Sequence, residues 1–436
     1  MPRPLVERLL APVADVRREE AASALLMTVL LFLLLAAYYL LKTAREVLIL
    51  TEGGAEIKSY SSAAQAMLLL VLVPAYGAFA SRVNPLRLVT IVTLFFASHL
   101  LLFIAAIGAG WQVGIGYFFW VGIFNLMVIA QFWAFATDLY TEEQGKRLFA
   151  LIGIGGSLGA WLGSVRAGTL VESQGPARLL GTAFAILVVC AALVPVVRAL
   201  TTRAAARKTA TVEAPLTRQG GFALVRSDRY LGSIALLMLF VNVVNTTGEY
   251  LFGRYVVEQS YELFAGAGAA AVAAREQFVG ETYARLFSTV NLAGLLMQMF
   301  LVSRLIKWFG LERSLFIHPF VAFVGYLLLL RAPSLPLIGI VKVADNSLDY
   351  SLGNTTRQAL WLPTTREAKY KAKQVIDSLF VRTGDVLSAG IVFGGERLAL
   401  AVPAFAAVNL LLVAGWLAVV VRLTRLRAHT VSTHPA

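Results

Sequence analysis

Residues 24–50 read ALLMTVLLFLLLAAYYLLKTAREVLIL. From Ala24 to Leu41 there is no charged side chain, and the run is about the length that a helix needs to cross a bilayer's hydrocarbon core. The pattern then continues without a break through Lys42, Arg45 and Glu46 to Leu50. In hydrocarbon every backbone N–H and C=O must find a partner inside the segment, so such a run has to be helical. Eleven similar blocks follow. They lie near Ala63–Ala80, Leu88–Gly108, Val113–Thr137, Leu148–Leu170, Leu179–Leu200, Tyr230–Val256, Tyr283–Ile306, Ser314–Leu330, Leu335–Thr355, Val375–Phe393 and Leu398–Val421. The expectation is an all-α membrane protein with twelve transmembrane helices. The alternating strands of an outer-membrane barrel are absent from the sequence pattern.

Composition agrees with the blocks. The 436 residues are 58% hydrophobic and 14% charged, with a mean hydropathy of +0.74; soluble chains carry about 25% charged residues. The formal charge of +13 fits basic cytoplasmic loops first and an anionic substrate second, with nucleic acid far behind. The segment Met1–Glu20 mixes Glu7, Asp15, Glu19 and Glu20 with its arginines, unlike a cleaved signal peptide. Cys190 is the single cysteine and excludes an internal disulfide. The four histidines show no metal-ligand spacing, and no HExxH, paired CxxC or GxxxxGK[ST] is present. No nucleophile–base pair can be named, so an enzyme is the least expected class and no cofactor is implied.

Charge placement sets the topology. Lys and Arg gather on cytoplasmic loops. With both termini inside, the inner side collects Arg3, Arg8, Arg17 and Arg18, then Arg82 and Arg87, then Lys146 and Arg147. It also collects Arg304, Lys307 and Arg313, then Arg366, Lys369, Lys371 and Lys373, and the C-terminal Arg422, Arg425 and Arg427. The outer connection Gly108–Gln112 has no charge. The stretch Glu258–Gly280, rich in Ala and Gly, reads as an outer loop with room for some helix. A basic cytoplasmic linker at 201–229 separates an N-terminal six-helix half at 1–200 from a C-terminal half at 230–436. Loops of the two halves repeat faintly: AFASRVNPLRL against VSRLIKWFGLER, and TDLYTEEQGKRLFALIG against LPTTREAKYKAKQVIDSLF. That organisation is major-facilitator-like, with a substrate site near the bilayer midplane.

Ionisable side chains inside spans are costly, so each is a candidate for function. Lys42, Arg45 and Ile49 share one stripe of the first span, with Glu46 beside them; they suit an anion site, or snorkelling to the interface. In the seventh span Asn242, Asn245, Thr246, Glu249 and Arg254 form a polar tract, and Glu249 is its sole carboxylate. Glu249 could couple a proton, pair with a cation that binds substrate, or be neutralised by Arg254 or Arg285. The tenth span carries Lys342, Asp345, Asn346, Asp349 and Tyr350 at spacings of three and four, continuing through Gly353 to Arg357. Such a row must face protein or water, as a cavity lining or as a polar zip between helices. In the eleventh span Lys373 and Asp377 are four apart, while Ser378, Arg382 and Asp385 share another face. Arg382 offers a fork suited to phosphate or carboxylate, or it pairs with Asp385 or Asp349. Gly155, Gly159 and Gly163 in GIGGSLGAWLGS recur every four residues, the spacing that lets helices approach closely in lipid.

Three segments resemble the ATP/ADP translocase family, the nucleotide transporters of intracellular bacteria and plastids. They are LLKTAREVLILTEGGAEIKSY, FWAFATDLYTEEQGKRLFALIGIGGSLG and GNTTRQALWLPTTREAKYKAKQVIDSLFVRTGD. The last is the most specific, with its basic residue, aromatic-x-Pro, Lys-rich run, Ile-Asp and Arg-x-Gly. The resemblance implies a major-facilitator-like fold, exchange of nucleotides across a membrane, and roles for Arg45, Arg357 and Glu249. Two positions depart from the family: Val121 and Asn125 occupy the region of an acidic residue in the fourth span, and Asp385 stands where a Lys often follows Arg-x-Gly.

The expected function is therefore secondary transport, ATP/ADP-type antiport by alternating access, with another organic anion, proton-coupled or not, as the alternative. Nucleotide is then cargo and not fuel. The expected partners are a small anionic substrate and the lipid bilayer, with no nucleic acid. The chain is expected to act as a monomer in a bacterial inner membrane. This reading requires that Lys42, Arg45, Lys342, Arg357 and Arg382 meet at a common watery cavity, where anionic cargo balances them.

Overall fold

The computed structural model describes residues 18–80, 85–201, 220–365 and 367–433, and among them every regular element is a helix. Arg3, Arg8, Arg17, Arg82, Arg366 and most of the basic linker, 202–219, lie outside the described residues.

The twelve expected spans are all helical, although two pairs are fused end to end. Arg18–Ala80 is a single run of 63 residues, broken only at Gly54, where φ is 73°. At 1.5 Å per residue the run would exceed about 90 Å if straight, three times the hydrocarbon thickness. Gly54 divides it into the first and second spans. Glu142–Thr201 is the same device: Gly175 has φ 68° and Pro176 follows it. A left-handed glycine ends one helix, and proline, with its fixed φ and no N–H to lose, starts the next. The third and fourth spans are Pro85–Gly108 and Gly114–Leu139. The seventh and eighth are Arg229–Leu263 and Ala269–Phe300, the ninth is Ile317–Arg331 and the twelfth is Val402–Thr433. The tenth is Leu335–Leu348, a wide π-turn at Asp349–Gly353, then Asn354–Ala359. The eleventh passes through two such turns, Ala368–Ala372 and Ile376–Phe380, before Val381–Arg397.

Among the described residues seven helices are long and apolar enough to cross a membrane by themselves, or eight if Ala269–Phe300 is joined to Val302–Ser314, bent from it by 72°. The shortfall from twelve has physical causes. The first two spans are fused, the ninth is only 15 residues long, and the tenth and eleventh carry charges and wide turns.

Two boundaries differ from the sequence reading. The stretch Glu258–Gly280 is mostly helical, with a loop only at 264–268: the seventh span runs to Leu263 and the eighth starts at Ala269. Arg275, 7% exposed, fastens this short corner by donating to the carbonyls of Phe264 and Gly266 at 2.8 and 2.9 Å. The second span begins just past Gly54 rather than at Ala63. In both places polar residues are held inside a helix, and hydropathy alone places them outside.

The chain forms two compact units. The first comprises Met1–Glu52, Leu72–Val212 and Phe264–Leu292; the second comprises Gly53–Val71, Glu213–Leu263 and Ala293–Ala436. In the first unit the glycine row of the fifth span lies against the backbone of the first. A methyl on Gly155 would come within 2.5 Å of the Thr28 carbonyl oxygen, one on Gly159 within 2.1 Å of that of Phe32, and one on Gly163 within 2.7 Å of Ala36. The four-residue rhythm on one helix meets the same rhythm on the other. Arg147 closes the end of this contact on Glu20 at 2.6 Å. In the second unit Gly325 takes the Val341 side chain and Gly395 takes the Phe405 ring, while the Tyr230 hydroxyl donates to the Leu360 carbonyl at 2.7 Å.

Candidate functional site

In the second unit the costliest group is Lys342, whose residue is 1% exposed in the middle of the tenth span. A charge at that depth costs roughly 2.5–3.5 kcal/mol on insertion scales if nothing compensates it. Three partners do so. The ammonium donates to Asn245 Oδ1 at 2.9 Å, and lies 3.2 Å from Glu249 Oε1 and 3.5 Å from Asp345 Oδ2. Asn245 and Glu249 stand one turn apart on the seventh span, and Lys342 and Asp345 one turn apart on the tenth, so two helical stripes face each other across the contact. Asn346 donates to Glu249 Oε1 at 3.3 Å. The other Glu249 oxygen lies 3.7 Å from Lys58 of the second span. On the opposite flank, Asp345 Oδ1 meets His318 Nε2 of the ninth span at 2.9 Å. Four spans thus contribute to one buried polar chain: Lys58, Glu249, Lys342, Asp345, His318. The Glu249 side chain is 26% exposed and the His318 side chain 6%.

The remaining candidates of this unit are held separately. Asp349 sits at the start of the π-turn and accepts from Arg357 NH1 at 2.6 Å, and its carbonyl accepts from NH2 at 3.3 Å. Arg382 reaches Asp385 at 3.4 Å, whose other oxygen accepts from Asn242 at 2.8 Å and Thr246 at 3.1 Å. Lys373 and Asp377 pair at 2.6 Å, with the Asp377 side chain 42% exposed. Arg254 pairs with Glu258 and Glu396, both at 2.8 Å, and not with Glu249. Within this unit, then, Lys58 and Lys342 share an acid, while Lys373, Arg357 and Arg382 have separate ones. Lys342 shares Glu249 with Lys58, a residue outside the expected set, whereas Arg357 and Arg382 are not brought to that carboxylate and each meet one on their own span.

In the first unit, Arg45 donates to Glu46, by Nε at 3.1 Å and by a shorter contact from NH2. Its guanidinium lies over the Phe118 ring, 4.8 Å from the centroid. The Glu46 side chain is 1% exposed. The Lys42 ammonium stands 4.1 Å from the Phe287 ring centroid and 5.3 Å from that of Tyr39. Cation–π contact of this kind stabilises a partly desolvated cation by about 0.5–2 kcal/mol. The Tyr39 hydroxyl in turn donates to Asn291 at 2.9 Å. Lys42 therefore packs against aromatic rings of the first unit.

Three participants were not singled out by the sequence. Lys58 lies where the sequence placed a connection between spans. His318 is a single histidine in an apolar span, and nothing near it in sequence names its acid. Glu396 caps a cluster in which Tyr250 and Arg254 contact one carboxylate. Among the described residues no group of three or more His, Cys, Asp or Glu could hold a metal ion.

These helices, with charges buried between spans, define the class of fold: a polytopic membrane protein of the major-facilitator type. Solved structures agree. A bacterial homolog of the human lysosomal transporter Spinster aligns over 97% of this chain and 100% of its own, with 13% identity and a TM-score of 0.58. A bacterial homologue of the iron transporter ferroportin aligns over 92% and 98%, with 12% identity and a TM-score of 0.64. The nucleoside transporter NupG aligns over 92% and 98%, with 12% identity and a TM-score of 0.63. At such identities the likeness concerns the fold alone. No protein-family model matches the sequence, and no curated protein sequence does.

Proposed function

We propose that the chain is a secondary transporter that carries a small organic anion by alternating access, with nucleotides of the ATP and ADP type as its exchanged cargo. It works as a monomeric carrier, not an enzyme, in a bacterial inner membrane, with both termini in the cytoplasm. The observation that carries this reading is Glu249, whose carboxylate sits between the ammonium groups of Lys342 and Lys58. A carboxylate held by two lysines occupies the position of an anion. A phosphate or carboxylate of the cargo that competes for those lysines would release Glu249, and its departure would restore the pair. In each state the two ammonium groups keep an anionic partner, carboxylate or cargo, so neither cation is left alone in a medium of low dielectric. Lys42, Arg45, Arg357 and Arg382, with Glu46, Asp345, Asp349, Asp377 and Asp385, hold the remaining charges of the pathway in balance. The three segments that resemble the ATP/ADP translocases favour nucleotide over other anions.

The test is uptake of labelled ADP, ATP, inorganic phosphate and a dicarboxylate by proteoliposomes loaded with each in turn. Uptake of labelled ADP that requires internal ATP or ADP, and falls at least tenfold in Lys342→Met, supports the proposal. Uptake of a dicarboxylate or phosphate without nucleotide would keep the carrier and replace the cargo. A second reading, proton-coupled anion transport, is favoured by the contact between His318 and Asp345, since histidine and carboxylate are the groups that carry protons in membrane pathways.

A further inference from the structure

The polar chain around Lys342 ends in a recess of the second unit. Its walls include Ser314, Leu315, His318, Gly353, Arg357 and Trp416, and it is half open, with room for about one water. His318 is 5% exposed. Its Nε2 is engaged with Asp345. Its Nδ1 lies beside Gly353, where a methyl would come within 3.2 Å of it and within 3.1 Å of an Arg357 nitrogen. Among the described residues nothing donates to or accepts from that Nδ1. A ring nitrogen so placed, bordering a recess large enough for water, is a proton-accepting position.

The geometry points to a proton relay that runs from this recess through His318, Asp345 and Lys342 to Glu249. This rests on the proton-coupled reading above and gives it a path. A proton from water in the recess bonds to Nδ1 of the neutral ring. The ring gives its Nε2 proton to Asp345, 2.9 Å away. The Lys342 ammonium gives a proton to Glu249 across 3.2 Å and regains one from Asp345 across 3.5 Å. Glu249, with a side chain 26% exposed, releases it. One proton enters and one leaves; each group returns to its charge, and the ring resets by exchanging tautomers.

The charged and titratable groups facing this path come from every packed element. They are Lys58 on the second span, Glu249 on the seventh, His318 on the ninth, and Lys342, Asp345, Asp349 and Arg357 on the tenth. The Tyr326 hydroxyl donates to the Val244 carbonyl at 3.3 Å and feels the charge of Asp345 and Glu249. The twelfth span contributes the Trp416 ring, edge-on to His318 with centroids 4.8 Å apart. Arg357 is occupied by Asp349, which leaves His318 as the recess's proton acceptor.

Trp416 supplies the test, because an imidazolium quenches a touching indole. Full-length protein in nanodiscs is titrated with acid while tryptophan emission is read, and the same titration of Trp416→Phe is subtracted. The expected result is a reversible loss of Trp416 emission with acid that is absent in His318→Gln. Its midpoint moves to lower pH in Glu249→Gln, because Lys342 then keeps its charge without that counterion and opposes the imidazolium. A Trp416 response that is missing, or that Glu249→Gln leaves in place, overturns the relay. Both variants keep polar side chains of similar volume, and thermal unfolding confirms that they fold. Vesicles loaded with ATP and given labelled ADP then read the coupling. Nucleotide exchange at the wild-type rate in His318→Gln, with no internal pH change in the wild type, also overturns it. Absence of nucleotide exchange in the wild type speaks against the cargo alone, and the fluorescence titration still decides the relay.

Discussion

Lys342 shows what a buried charge demands of its neighbours. Removing one partner of a buried ion pair leaves the other without compensation and costs about 3–5 kcal/mol. Lys342→Met is therefore expected to lower thermal stability by up to that order, because Asp345 loses its ammonium partner and Glu249 is left with Lys58 alone. Adding Asp345→Asn should recover part of the loss, and the double-mutant cycle should give a coupling above about 1 kcal/mol, as residues of one network do. Asp377 is the contrast. Its pair with Lys373 is largely exposed, and such pairs contribute about 0–1 kcal/mol. Asp377→Asn should shift the unfolding temperature by no more than a degree or two. The sequence marked Lys342, Asp345, Glu249 and Asp377 alike, because all four sit in or beside apolar runs. What separates them is how many helices surround each, and a one-dimensional pattern holds no record of that. His318 and Lys58 were illegible for the same reason: their acids are 27 and 191 positions away in sequence.

The helices were the most legible level. Spacing alone gave the glycine row of the fifth span its packing role, and the chain it packs against explains its rhythm. Gly159→Ala should destabilise by about 1–3 kcal/mol, since the added carbon would overlap the Phe32 carbonyl and neither backbone can retreat. Gly153→Ala, two turns nearer the start of that span, meets nothing within 4 Å and has an ordinary helical conformation. It should be neutral or slightly stabilising, because alanine is the better helix former. Gly54 isolates a different cost. Space around it is open, but its φ is positive. Gly54→Ala should cost about 1 kcal/mol through backbone strain alone, read as a small drop in unfolding temperature. The corner at 264–268 and the start of the second span were misread from sequence. Arg275 and Lys58 are polar residues that a hydropathy profile assigns to water, whereas here backbone carbonyls and a carboxylate satisfy them.

At the scale of the whole molecule, twelve spans impose a parity. Trp111 lies between the third and fourth spans and Thr211 in the linker after the sixth, so three crossings separate them. With Cys190, buried as it is, replaced by alanine, single cysteines at these two positions should label from opposite faces. A membrane-impermeant maleimide applied to sealed cells should reach Trp111→Cys, and reach Thr211→Cys only after the membrane is permeabilised. Labelling of both from one face would require an even number of crossings between them and would dismantle the twelve-span topology.

The threading of the chain through its two units also governs how the protein can be made. Residues 264–292 belong to the first unit and residues 53–71 to the second. When the ribosome has finished the first 212 residues, the first unit still lacks a helix that is not yet synthesised, while a helix of the second already waits for companions. Neither unit can complete its packing in the order in which it is translated. Early spans must therefore remain loosely associated in the bilayer until the eighth has been inserted. Two fragments divided at the central linker should each be poorly behaved when produced alone, and recover when produced together.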